Sequence, residues 1–132
     1  MRIAMIGTGY VGLVSGACLS EFGHDVICVD KDQAKIDALE KGVIPIFEPG
    51  LEEVVAANVK AGRLSFTNDL KKAVPGADAV FIAVGTPSRR GDGHADLQYV
   101  FAAAKEVAGL IDRYAVIVTK STVPVGTSRK VE

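Results

Sequence analysis

The chain is short of the features that would tie it to a metal, a nucleic acid or a bilayer. Fifteen Lys and Arg against sixteen Asp and Glu leave a formal net charge of −1. The basic residues are scattered, and the densest pair, Arg89–Arg90, is flanked by Gly91 and Asp92. Such a balance offers no electrostatic footprint for nucleic acid or an anionic membrane. There are only two cysteines, Cys18 and Cys28, and two histidines. None forms a CxxC or a Cys/His cluster, so no zinc signature exists and no metal is expected. Cys18 falls in a helical pattern and Cys28 in a strand pattern, so both read as core thiols rather than a disulfide. No apolar run reaches the ~18 residues that a membrane span needs. Repeats, low-complexity tracts and flexible linkers are absent too. What is present, 132 residues of which 48% are hydrophobic, suits one domain over residues 1–132 with a real core.

The opening stretch MRIAMIGTGYVGLVSGAC admits two readings. One arginine, an apolar run and small residues before a cysteine have the composition of an export signal. Such a signal needs a helical apolar centre, and Gly7, Gly9, Gly12 and Gly16 interrupt it. Each glycine costs a helix about 1 kcal/mol relative to alanine. Cys18 leads into LSEFGHDVICVD, a continuing helix and then a strand rather than a polar mature terminus. The stretch therefore reads as a strand entering a glycine turn, and the protein as cytoplasmic.

Along the chain, short apolar runs alternate with helical patterns. The expected strands are 2–6, 25–30, 64–67, 79–84 and 115–119. From Val11 to Phe22 the apolar residues Val11, Val14, Cys18, Leu19 and Phe22 recur at helical spacing, and Gly23 ends the helix. Asp32 caps a second helix that Gly42 stops. VIPIFEPG is a loop, followed by the helix LEEVVAANVKAG. Asn68 or Asp69 caps a short helix, and Asp96 caps one expected to run to about Asp112. Strands that are nearly all apolar, joined by helices, predict a Rossmann-like, doubly wound parallel sheet buried by helices on both faces. Such sheets usually carry six strands, so the chain is expected to be cut short after its fifth or sixth, as the N-terminal part of something longer.

Gly7-Thr8-Gly9-Tyr10-Val11-Gly12 fits G-x-G-x-x-G between a strand and a helix, with a second strand ending in Asp30. Gly7 permits the tight turn, Gly9 lets backbone approach a pyrophosphate, and Gly12 lets the helix lie close to the strand. The helix N-terminus, at Tyr10 and Val11, offers N–H groups and partial positive charge to the phosphates. A carboxylate at Asp30 can accept the ribose hydroxyls and would repel a 2′-phosphate, so NAD is expected over NADP. Lys31 could soften that repulsion, though no arginine stands beside Asp30.

Three further stretches, PIFEPGLEEV at 45–54, FIAVGTPSRRGDGHADL at 81–97 and VTKSTVPVGT at 118–127, complete a pattern running through the whole chain. Together with the glycine turn they closely resemble the NAD-binding domain of the UDP-glucose/GDP-mannose dehydrogenase family. The resemblance implies oxidation of the C6 alcohol of a nucleotide sugar to a carboxylate with two NAD+ in succession. UDP-glucose is the first expectation; GDP-mannose or a UDP-N-acetylated sugar would undergo the same chemistry. A cysteine would hold the aldehyde-level carbon as a thiohemiacetal and then a thioester. That cysteine and its partners belong to a segment beyond this one, so neither Cys18 nor Cys28 is expected to be the nucleophile. The 132-residue chain is not expected to catalyse alone.

Carried over by motif, Thr122 matches a threonine that helps order catalytic water. It lies just after a strand's C-terminal end, where open α/β sheets bind ligands. Gly85 and Thr86 resemble residues near the cofactor's phosphate and ribose, and Lys35 one near the adenosine ribose. Glu48, Pro49, Gly50 and Leu51 resemble a loop near the nucleotide sugar, and Tyr10 could pack toward nicotinamide or sugar. His24 and His94 read as ordinary loop residues. Family members often form dimers or larger assemblies. Without the resemblance, a non-catalytic NAD-binding module would share the glycine turn.

Overall fold

The computed structural model describes residues 1–132. Five strands, β1 (Arg2–Ile6), β2 (Asp25–Val29), β3 (Leu64–Thr67), β4 (Ala79–Ile82) and β5 (Val116–Thr119), make one sheet. All neighbours run parallel, in the order β3-β2-β1-β4-β5. The helices are α1 (Tyr10–Glu21), α2 (Gln33–Glu40), α3 (Leu51–Lys60), α4 (Leu70–Ala73), α5 (Gln98–Ala108) and α6 (Thr127–Val131). Strands β1 to β3 are laid down in one direction and β4 and β5 in the other. The border between β1 and β4 is thus the switch point, where such sheets open a crevice at their C-terminal ends.

Alternation along β1 builds two cores. Ile3 and Met5 point to one face, with Leu13 and Ala17 of α1, Ile36 and Leu39 of α2, and Leu51 and Val55 of α3. Ala4 and Ile6 point to the other, with Ala73 of α4 and Val100, Ala103 and Val107 of α5. A strand buried on both faces has no polar side to show, which is why β1 reads as continuous apolar sequence. The short α4 is set by its cap, since the Asp69 carboxylate accepts the Lys71 N–H at 2.9 Å.

Three expectations are corrected. The buried stripe of α1 is Gly12, Leu13, Gly16, Ala17 and Ser20, not the apolar series from Val11 to Phe22. Phe22 is 77% exposed and Cys18 is exposed, so only Cys28 is a core thiol. At Gly16 the helix lies too close to the sheet for a side chain: a Cβ there would stand 2.7 Å from the Cys28 sulfur. Second, β5 is a sheet edge on which Val116 is exposed and Ile117, Val118 and Thr119 are only partly buried, because no strand pairs with its outer side. Third, α5 ends at Ala108, with Gly109 as its C-cap.

Candidate functional site

A cleft of about 1240 Å³ opens at the C-terminal ends of β1, β2 and β4. Its floor is the glycine turn. Gly7, at φ 107°, takes a backbone conformation that L side chains rarely adopt. Its N–H donates to the Val29 carbonyl at 2.7 Å, tying the turn to β2. Gly12 cannot carry a side chain, since its Cβ would stand 2.0 Å from the Gly7 oxygen. Gly9 differs: a Cβ there would meet nothing within 4 Å, and Gly9 lines the cleft. No protein atom fills the space beside it, so its missing side chain leaves backbone open to a ligand. Gly9 also caps α1 without a side chain, and the first turn holds no acidic residue. Bare N–H groups and the positive end of the helix face the cleft at Tyr10 and Val11.

Asp30 stands at the end of β2 beside this turn. Its Oδ2 accepts the hydroxyl of Thr8 at 2.7 Å and the Thr8 N–H at 3.1 Å, and its Oδ1 accepts the Asp32 N–H at 3.0 Å. Partial burial opposes its ionisation. The hydrogen bonds from Asp32 and Thr8, with the nearby charge of Lys35, outweigh this and hold the carboxyl below the usual range. Lys35 lines the same end of the cleft. Lys31 reaches across to α5, where its Nζ donates to Glu106 Oε1 at 2.6 Å.

The opposite wall is Val84, Gly85, Thr86 and Pro87 after β4, with Ser121 and Thr122 after β5. Ser121 is the residue that sequence reasoning missed. Its buried hydroxyl donates to the Val84 carbonyl at 2.8 Å, and its N–H to the Ile82 carbonyl at 3.0 Å. These bonds pin the loop to β4 and leave Thr122 exposed at the cleft wall. Thr8 was missed as well. Its signal was its place inside the glycine turn opposite a strand-end carboxylate.

The structure thus brings Gly7, Gly9, Tyr10, Val11, Asp30, Lys35, Gly85, Thr86 and Thr122 to one cleft, whose floor Gly12 shapes from below. The loop of Glu48, Pro49 and Gly50 is not among them. It borders a separate cavity of about 540 Å³. Leu51, by contrast, is 4% exposed and packs its side chain in the core. One contact joins the two regions: the Tyr10 hydroxyl donates to Glu48 Oε2. That bond, with some desolvation and the Glu48 charge, raises the Tyr10 phenol above its ordinary value. His94 sits beside Asp92 in the exposed loop after β4. No group of three or more His, Cys, Asp or Glu side chains converges to hold a metal. No helix is long and apolar enough to cross a membrane.

Fold and site together define a dinucleotide-binding domain of the doubly wound α/β class. The comparisons agree. The UDP-glucose/GDP-mannose dehydrogenase family, NAD binding domain, matches over residues 1–132, and the chain belongs to that family. A UDP-glucose 6-dehydrogenase of Rhizobium meliloti (strain 1021) is 69% identical over 132 residues, all of this chain and 30% of that protein. A UDP-glucose 6-dehydrogenase of Bacillus subtilis (strain 168) is 55% identical over 131 residues, 99% of this chain and 28% of that protein. The crystal structure of a ternary complex of GDP-mannose dehydrogenase from Pseudomonas aeruginosa superposes with a TM-score of 0.93 at 45% identity, covering 99% of this chain and 30% of that one. The chain therefore spans 30% or less of the length of these three relatives.

Proposed function

We propose that this chain is the cofactor-binding part of an NAD-dependent dehydrogenase that oxidises the C6 hydroxyl of UDP-glucose to the carboxylate. The observation that carries the reading is the open approach to Gly9 at the C-terminal end of β1, beside an Asp30 carboxylate held below the usual range at the end of β2. The choice of sugar rests on likeness to the UDP-glucose 6-dehydrogenases. Bound in the cleft, NAD+ would supply the hydride acceptor. The chain's own residues bind and orient. Backbone N–H groups at Tyr10 and Val11 hold the pyrophosphate, Asp30 and Lys35 hold the adenosine ribose, and Gly85 and Thr86 line the opposite wall. Thr122 places its hydroxyl, both donor and acceptor, to order water where the sugar carbon reacts. Glu48, Pro49 and Gly50 serve the sugar nucleotide from the neighbouring cavity. A cytoplasmic location belongs to the reading.

Neither cysteine suits a nucleophile's role. Cys28 is fully buried and its thiol is pushed up to about 12, and Cys18 sits on the outer side of α1, away from the cleft. The test has two parts. Calorimetric titration of the folded protein should show saturable NAD+ binding, with NADP+ at least about tenfold weaker. The full-length protein should then reduce NAD+ with UDP-glucose in preference to GDP-mannose. A folded protein that binds no dinucleotide, or that prefers GDP-mannose, would overturn the corresponding half.

A further inference from the structure

A carboxylate offers about four acceptor positions. At Asp30 three are taken by the protein: both on Oδ2 by Thr8, one on Oδ1 by the Asp32 N–H. One remains, on Oδ1. Thr8 is itself 0% exposed. The hydroxyl that grips Asp30 therefore cannot turn to water instead. The backbone of Asp30 is fixed too, its N–H donating to the Thr67 carbonyl at 3.2 Å.

From this we infer that Thr8 is the positioning residue for cofactor choice: by saturating Oδ2 of Asp30 it locks the carboxylate in one orientation and leaves Oδ1 as the single acceptor for a ribose hydroxyl. A free 2′-hydroxyl has a proton to give to that oxygen. A 2′-phosphate brings only further negative oxygens, and the locked carboxylate cannot swing aside to admit them. Asp30 supplies the charge, and Thr8 makes the charge unavoidable. The inference rests on the NAD reading above and deepens it.

The test compares Thr8→Val, Thr8→Ser and the wild type in the full chain, by titration with NAD+ and with NADP+. Valine keeps the shape and removes the donor. NAD+ binding should weaken on the order of tenfold, and NADP+ binding should hold or tighten, so the ratio between the two cofactors narrows. Serine restores the hydroxyl and should restore the ratio. Should valine disturb the turn, Thr8→Ala removes the hydroxyl without adding bulk and is read in the same way. A general loss of structure would weaken both cofactors alike, so an unchanged ratio in folded Thr8→Val, or failure of serine to restore it, overturns the role of Thr8. Wild-type protein that binds no NAD+ would instead remove the dinucleotide reading itself.

Discussion

The carbonyl oxygen of Gly7 occupies the place where a Cβ on Gly12 would have to stand, with 2.0 Å between them. The first turn of α1 is thus seated on the backbone of the glycine turn, and neither can move without the other. Gly9, between them, has no such neighbour. Alanine should separate the two causes. Gly12→Ala should lower stability by about 2–3 kcal/mol through overpacking against backbone, seen as a reduced midpoint in urea. Gly9→Ala should change stability by less than about 0.5 kcal/mol and still abolish tight NAD+ binding. Equal stability losses in the two variants would contradict this.

Asp30 carries a pH signature. Its carboxyl lies below the usual range in the folded protein. A depressed acid contributes stability above its unfolded value, about 3.9, and that contribution is lost as pH falls through the folded value. Asp30→Asn should therefore melt below the wild type near neutrality, and the two should converge in acid below pH ~4. Melting curves across that range would show it; a gap that stays constant would mean that ionisation of Asp30 adds nothing.

The two cysteines should differ sharply toward a thiol reagent. At pH 8, one equivalent per native chain should react quickly, from the exposed Cys18. Cys28, buried and pushed up to about 12, should react only in denaturant. Cys18→Ser should abolish the fast phase. Two fast equivalents in the native protein would refute the packing described for α1.

Lys31 is the cation adjacent in sequence to Asp30, and Glu106 holds it across the cleft. Both side chains are substantially exposed, so the pair contributes little stability, about 0–1 kcal/mol. Glu106→Gln should leave the melting temperature nearly unchanged. It should free Lys31 to approach a 2′-phosphate and strengthen NADP+ binding by a fewfold at low salt. The gain should fade as salt is added. A salt-insensitive effect would place the cause elsewhere.

The strands were legible because a parallel sheet buried on both faces writes itself as apolar runs. The glycine turn was legible because three backbone demands fix three glycines at set spacing. The facing of α1 was not. Periodicity marks the large apolar residues, whereas this helix turns its smallest ones, Gly12, Gly16 and Ala17, to the sheet. Thr8 and Ser121 escaped for another reason. Their hydroxyls act on partners 22 and 37 residues away, beyond the reach of periodicity, and only Thr8 carried a hint, its place in the glycine turn opposite Asp30. Glu48 and its neighbours were recognisable as a motif. Sequence could not say that they border a separate cavity, tied to the cleft by the Tyr10–Glu48 hydrogen bond.

A floor made of peptide groups has consequences for how binding is spread between partners. Side chains that close on a ligand surrender rotamer freedom, commonly about 0.5–1.5 kcal/mol each. The glycine turn has none to surrender: Gly7, Gly9 and Gly12 contribute only backbone, and Gly7 and Gly12 are already packed against each other and against Ala83. The disorder lost on docking at the phosphates must then come almost wholly from the dinucleotide. Affinity at that point is governed by how many shapes the free cofactor samples, a property that no substitution in the turn can improve.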